Sequence, residues 1–410
     1  MNTKGRLVVF SVLIFTMFFL NWFILNGLVQ LFPYIWFKTF YITSITASVL
    51  LLFIAILRMA SKGMDTFFKI ATHLFVTLIS GQLVFALVKV LGLLLQLIVS
   101  LFNIQMITSY HIALVAFVIF IAVVIMFIDG IIRGKYAYRV IEQTLYFDDL
   151  PQNFDGFKIV QISDIHAGSF NNVKAVQKGI NLVLAQSADL FVFTGDLVNN
   201  KAEEIKPWIP LFNQIKAPYG QFSILGNHDY GDYIAWKSPS EKQQNLENLK
   251  KYHQEIGFKL LLDEHVYLEK GEDKIVLAGV ENWGIGFGER GDLNAALNGT
   301  KPQDFKVLLS HDPSHFDAQV KKHPSKINLT LSGHTHGMQF GIELFGIKWS
   351  PVKLRYKHWA GLKEENNRYL YINRGFGFIG FSGRVGIWPE VTLITLRKSA
   401  ITNNSNKHLV

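Results

Sequence analysis

The stretch Lys158-Ile159-Val160-Gln161-Ile162-Ser163-Asp164-Ile165-His166 is a short β-branched run that ends on a carboxylate and an imidazole. Such a run, bounded by turn formers, reads as a buried strand. The arrangement recurs down the chain. Leu190–Thr194 leads into Gly195-Asp196, and Gln221–Leu225 into Gly226-Asn227-His228-Asp229. Lys306–Ser310 runs into His311, and Ile327–Leu331 into Gly333-His334-Thr335-His336-Gly337. Helical patterns lie between the strands: Asn172–Gln186, with Val173, Val176, Ile180 and Val183 on one face; Glu203–Ile215, broken near its start by Pro207 and Pro210; and Ser240–Ile256. Lys274–Val280, Tyr369–Ile372 and Val391–Leu396 read as further strands. This alternation predicts an α/β sandwich.

Ligands of open α/β sheets bind at the carboxyl ends of the strands. The five Asp, Asn and His clusters each follow a predicted strand, so they are expected to converge. Carboxylate, amide oxygen and imidazole suit divalent manganese, iron or zinc. There are donors enough for two ions, and Asp196 is a carboxylate able to bridge them. Two ions about 3.5–4 Å apart clamp a phosphoryl group and acidify a water for in-line attack, while a neighbouring imidazole protonates the leaving oxygen. One Asp-x-His or a strand-end histidine means little alone; five clusters in order, each at a strand end, point to a site. Gly195, Gly226 and Gly333 are expected to supply backbone angles that other residues resist.

The first third of the chain has another character. Half of the 410 residues are hydrophobic and 14% are aromatic, which indicates membrane content. Four apolar stretches are long enough to be predicted as spans, at 7–32, 39–57, 75–102 and 111–127. Lys4 and Arg6, then Arg58, Lys62 and Lys69, then Arg133, Lys135 and Arg139 flank one side. Lys38 alone lies on the other, which places both termini and the second domain in the cytoplasm. A net charge of +9 then matches an anionic membrane surface rather than nucleic acid. Lys89, inside the third stretch, is expected to snorkel or face the bundle interior. The third stretch also contains Gly81 and Gly92, which makes it the weakest of the four. The absence of cysteine excludes disulfides, thiolate metal sites and cysteine nucleophiles. The organisation expected is a transmembrane region over 1–135, a linker and first strand over 136–156, a catalytic domain over 157–397 and a polar tail over 398–410.

With these motifs in view, the sequence resembles the calcineurin-like metallophosphoesterase family, and more narrowly its bacterial membrane-associated branch. The matching residues are Asp164-Ile165-His166, Gly195-Asp196, Gly226-Asn227-His228-Asp229, His311 and Gly333-His334-Thr335-His336, with a closing Asn373-Arg374-Gly375-Phe376-Gly377. The resemblance implies a four-layered α/β/β/α sandwich. It implies that Asp164, His166 and His336 hold one divalent ion, that Asn227, His311 and His334 hold a second, and that Asp196 bridges them. His228 would contact the phosphate as general acid. The family often has an aspartate three residues after the bridging one to orient that histidine; this chain has Asn199, so Asp229 is a possible substitute.

Arg374 and Arg384, in glycine-rich loops, are candidate phosphate ligands. Trp349, Trp359, Phe376, Phe378 and Phe381 form an aromatic region that reads as ordinary packing, with a lid for a greasy substrate or a membrane-facing rim as the alternatives. The activity expected is hydrolysis of a phosphate ester, phosphodiester or pyrophosphate, on a small-molecule or lipid-linked substrate. Membrane lipid is the expected partner, and neither nucleic acid nor an obligate protein partner is expected. The competing expectation is a catalytically silent membrane receptor or scaffold; the presence of every expected ligand and of His228 argues against it.

Overall fold

The computed structural model describes residues 3–102, 107–344 and 346–399. It divides into two compact units, Met1–Ile132 and Arg133–Val410. From residue 400 the expected polar tail lies outside the described residues, as do residues 103–106 of the link after the third apolar stretch.

Among its described residues the first unit has four helices: α1 (Thr3–Leu31), α2 (Ile35–Lys62), α3 (Thr66–Ser100) and α4 (Ser109–Ile132). Among the described residues, Ile35–Met59, α3 and α4 are long and apolar enough to cross a membrane, and α1 adds a shorter apolar stretch, Phe15–Leu31. The turn between α2 and α3 is built from Gly63, whose N–H bonds to the Met59 carbonyl, and Asp65, which caps α3 by accepting from the Phe68 N–H at 2.8 Å. The third apolar stretch is one continuous helix. Its glycines are contact points: a Cβ at Gly81 would lie 2.7 Å from the Phe120 ring, and one at Gly92 2.5 Å from Ile112. Small residues let apolar helices approach closely. Lys89 faces the bundle interior, where its Nζ donates to the Phe23 carbonyl at 2.6 Å.

In chain order the strands of the second unit are β1 (Arg139–Phe147), β2 (Lys158–Ile162), β3 (Leu190–Thr194), β4 (Gln221–Ile224), β5 (Lys259–Leu260), β6 (Glu264–Lys270), β7 (Asp273–Gly279), β8 (Trp283–Gly284), β9 (Gly288–Glu289), β10 (Lys306–Leu309), β11 (Leu329–Ser332), β12 (Ile342–Leu344), β13 (Ile347–Trp349), β14 (Gly361–Glu365), β15 (Arg368–Ile372) and β16 (Glu390–Lys398). The helices are α5 (Val173–Ala185), α6 (Ile209–Phe212), α7 (Pro239–Ile256), α8 (Leu293–Leu297) and α9 (Ser314–Ala318). One sheet has the order β1-β16-β2-β3-β4-β5 and the other β14-β15-β11-β10-β7-β6; β8–β9 and β12–β13 are separate hairpins. β2, β3 and β4 run parallel, as do β7, β10, β11 and β15.

Successive strand residues face opposite sides of a sheet, and here both sides are buried. In β3, Leu190 and Val192 face the core between the sheets, while Phe191 and Phe193 face α5 and α7. In β10, Val307 and Leu309 point between the sheets and Leu308 points to α8 and α9. The result is the expected α/β/β/α layering. Glu203–Ile215 differs from the helix read in the sequence. It is a 3₁₀ segment, Ala202–Trp208, followed by the single turn of α6, because Pro207 and Pro210 remove the N–H donors a continuous α-helix needs.

Candidate metal centre

β2, β3, β4, β10 and β11 each deliver polar residues at their carboxyl ends, and the two sheets contribute facing halves. β2, β3 and β4 supply Asp164, His166, Asp196 and Asn227; β10 and β11 supply His311, His334 and His336. Hydrogen bonds join the halves. The His334 N–H donates to Asp164 Oδ2 at 3.0 Å, His311 Nδ1 donates to the Thr194 carbonyl at 2.7 Å, and Gln161 Nε2 donates to the Ser332 carbonyl at 2.9 Å.

Five of the expected ligands, Asp164, His166, Asp196, His334 and His336, have left-handed φ between 47° and 71°. Each such residue costs roughly 1–3 kcal/mol, and strain of this kind gathers where function demands it. The left-handed turn bends the chain sharply at the strand end. Of the three glycines, only Gly195 has positive φ, at 92°. Gly226 and Gly333 are needed for space instead: a Cβ would sit 2.2 Å from Asp196 Oδ1 at Gly226, and 1.9 Å from Ser163 Oγ at Gly333. The sequence-based reason holds at one glycine of three.

Two groups of donors result. The ligand atoms of Asp164, His166 and His336 all lie within 4.8 Å of one another, and so do those of Asp196, His311 and His334. Asp196 Oδ2 sits between the groups, 3.5 Å from His166 Nε2 and 3.2 Å from His311 Nε2. Asn227 Oδ1 faces His334 Nδ1 at 2.9 Å, while its Nδ2 donates to Tyr233 Oη at 2.7 Å, so the amide oxygen is the end presented to the second group.

The donor set fits a pair of divalent cations. A carbonyl only accepts, so the bond to Thr194 fixes the proton of His311 on Nδ1 and leaves Nε2 for the cluster. The Nε2 atoms of His166 and His336 point at each other at 3.0 Å, with Asp164 Oδ1 3.2 Å from His336 Nε2. Three lone-pair atoms thus aim at one place. Burial drives His166 and His334 toward the neutral, ligating form, His334 to about 4 against the pull of Asp312. Burial alone would raise the carboxyls, but His336 and His311 hold Asp164 low, and His311 and His228 hold Asp196 low. Two buried carboxylates need positive charge beside them. His311 is pushed up to about 10, burial being outweighed by Asp196.

His228 belongs to neither group and lines the cavity above both. Its Nδ1 donates to the Asn199 main-chain carbonyl at 2.8 Å, leaving Nε2 on the cavity side. The Asn199 side chain turns away to Ser169 Oγ, at 3.1 Å. Asp229 also stays out of contact with the imidazole. Its carboxylate accepts from the N–H groups of Asp196, Leu197, Val198 and Gly226 at 2.8–3.2 Å, clamping the Asp196 and Asn227 loops together.

The cavity, about 390 Å³, has His166, Asp196, Asn227, His228, His334 and His336 at its floor and Phe287, Met338, Leu354 and Tyr356 among its walls. The two arginines singled out in the sequence do not line it. Arg384 is fully buried, donating to the carbonyls of Gly375 and Gly377 beside His336. Arg374 is ion-paired with Glu343 and Glu390. The arginine at the cavity is Arg355, stacked 4.2 Å over the Phe287 ring. Sequence reasoning also missed Asp312, whose Oδ2 lies 3.4 Å from His334 Nε2 and accepts from Tyr356 Oη at 2.9 Å. A carboxylate directly after a ligand histidine was the available signal.

Fold and donor set together define a metallophosphoesterase. Residues 157–338 match the family described as calcineurin-like phosphoesterase. The chain is 30% identical over 263 residues to the uncharacterized metallophosphoesterase YkuE of Bacillus subtilis, covering 63% of this chain and 85% of that one. It is 27% identical over 267 residues to an Aquifex aeolicus metallophosphoesterase, covering 64% of this chain and 93% of that one. It is 26% identical over 279 residues to a zebrafish transmembrane protein with metallophosphoesterase domain, covering 66% of this chain and 60% of that one. The chain belongs to the calcineurin-like metallophosphoesterase family.

Proposed function

We propose that this chain is a membrane-anchored phosphoesterase that uses two divalent ions to hydrolyse a phosphate ester, phosphodiester or pyrophosphate. The observation that carries the proposal is Asp196 Oδ2, placed within 3.5 Å of a histidine from each donor group. Asp164, His166 and His336 would hold one ion, and Asn227, His311 and His334 the other, with Asp196 shared. When bound, such a pair supplies Lewis-acid polarisation of the phosphoryl oxygens and acidification of a water.

The protein's own groups do the rest. His228 is fixed by Asn199 through Nδ1, so Nε2 is the atom that hands a proton to the leaving oxygen as the P–O bond breaks. Burial lowers the affinity of this imidazole for a proton, and the Asp196 carboxylate opposes that. Arg355 would hold phosphoryl oxygens at the mouth, and Phe287 and Tyr356, which line the cavity with it, would restrict water. Sidedness is part of the same proposal: the basic flanks support a cytoplasmic catalytic domain, tested by protease accessibility in sealed vesicles.

The test is hydrolysis of chromogenic mono- and diesters by the detergent-solubilised full chain with manganese, beside its metal content. Asp196→Asn is expected to lose both metal and activity. His228→Ala is expected to keep its metal while kcat falls about 10²–10⁴-fold. A metal-loaded wild type that cleaves no ester, diester or pyrophosphate overturns the proposal.

A further inference from the structure

The hairpin β12–β13 is amphipathic the wrong way round for water. Its cross-strand pairs are Ile342 with Trp349, Glu343 with Lys348 and Leu344 with Ile347. Alternate residues share a face, so Ile342, Leu344, Ile347 and Trp349 form one face and Glu343 and Lys348 the other. The polar face is the one tied to the protein: Glu343 takes both Nε and Nη2 of Arg374, and Lys348 donates to the Ala360 carbonyl. The apolar face is the one left open, with Leu344 59% and Ile347 60% exposed. Nearby in sequence, the turn Pro351–Leu354 leaves Leu354 93% exposed. The other four aromatic residues of the late glycine-rich region, Trp359, Phe376, Phe378 and Phe381, are buried. Of these five, Trp349 is the one exposed.

We infer that this face, Ile342, Leu344, Ile347 and Trp349 with Leu354, enters the interface of an anionic bilayer and presents lipid phosphoesters to the neighbouring cavity. Exposed apolar patches of this kind mark interaction surfaces, and three observations select lipid as the occupant. The chain carries its own bilayer-length helices, so a membrane is always within tether length. Lys353, Arg355 and Lys357 flank Leu354 and are exposed, matching anionic headgroups, and a tryptophan at an apolar rim is the residue membrane interfaces favour. The Leu354 end of the face reaches the site: Met338, Leu354 and Arg355 line the cavity whose floor is the donor cluster. An amphiphile with its phosphoryl group there has its hydrocarbon on this face. The substrate part of the inference rests on the phosphoesterase reading; the membrane contact does not.

The chain has no cysteine, so Leu344→Cys takes one environment-sensitive fluorophore. The full chain is reconstituted in nanodiscs of phosphatidylglycerol and phosphatidylcholine, with Val173→Cys on α5 as the control. The label at position 344 is expected to shift to the blue and be quenched by doxyl-labelled lipids, the control to do neither. A label that matches the control overturns the inference. So does a blue shift without lipid quenching, which assigns the face to a protein or a second copy of this chain. In a second arm, Leu344→Ser with Ile347→Ser is expected to slow hydrolysis of a long-chain nitrophenyl phosphoester roughly tenfold while leaving a water-soluble one unchanged. Unchanged rates on both overturn the substrate part and leave the phosphoesterase reading standing. A quenched label on a wild type that cleaves neither ester overturns that reading and leaves the membrane contact standing.

Discussion

The orientation of His228 depends on a main-chain carbonyl, not on the side chain at position 199. Asn199→Ala is therefore expected to change kcat by less than about fivefold, a loss on the scale of one modest hydrogen bond, with the shape of its pH profile kept. Steady-state kinetics across pH checks this; a loss as large as that of His228→Ala would contradict it. Asp312 is a different case. It is buried and holds the far nitrogen of His334, and removing such an outer partner typically costs about 10–100-fold in metal affinity. Asp312→Asn is expected to weaken one of two binding steps in a calorimetric metal titration and leave the other unchanged. At Arg355, loss of a charged hydrogen bond of about 1.5–3 kcal/mol is expected to raise KM for an ester at least tenfold in Arg355→Ala. The proposed ligands were legible in the sequence, because each follows a hydrophobic run that announces a strand. Their supports were not. The Asn199 carbonyl has no side-chain signature, and Arg355 was hidden by being an ordinary surface-type residue between Leu354 and Tyr356.

At the scale of elements, the parallel strands β2, β3, β4, β10 and β11 were legible because burial on both faces makes them near-continuous apolar runs. Edge strands were harder. β6, Glu264-His265-Val266-Tyr267-Leu268-Glu269-Lys270, pairs antiparallel with β7 at the sheet margin, and its charges obscure the alternation. β14, with Lys363, Glu364 and Glu365, is hidden the same way. Packing of α7 on β4 supplies a test that does not involve the metal centre. His253 is fully buried, its Nδ1 is 3.0 Å from Ser223 Oγ, and its Nε2 has no partner. Burial pushes its pKa down to about 3 from the ordinary 6.5. The native state therefore takes the proton less readily than the unfolded chain. The stability this group confers is complete above about pH 6.5 and is lost as pH falls from there toward 3. Unfolding midpoints of the solubilised chain measured between pH 7 and 4 are expected to fall less steeply for His253→Phe than for the wild type. Equal slopes would contradict the assignment.

For the whole molecule, the two units answer to different physics. The helical unit is legible from length and hydropathy alone, since a bilayer demands long apolar runs. Its close helix contacts at Gly81 and Gly92, and the polar cluster in which Gln82 Nε2 bonds to both Asn21 Oδ1 and Tyr41 Oη, depend on which helices pack together, which sequence spacing does not encode. The second unit is legible because one architecture places the polar ends of its central strands together. In the proposed function, seven side chains of this unit hold two divalent ions through a shared Asp196. The most direct measurement is the metal stoichiometry of the purified full chain, by plasma mass spectrometry, with Asp196→Asn alongside. Two divalent ions per wild-type chain, with loss of at least one in the variant, is the result expected. A wild type that binds one ion or none under saturating manganese, or a variant that still holds two as tightly, would contradict it.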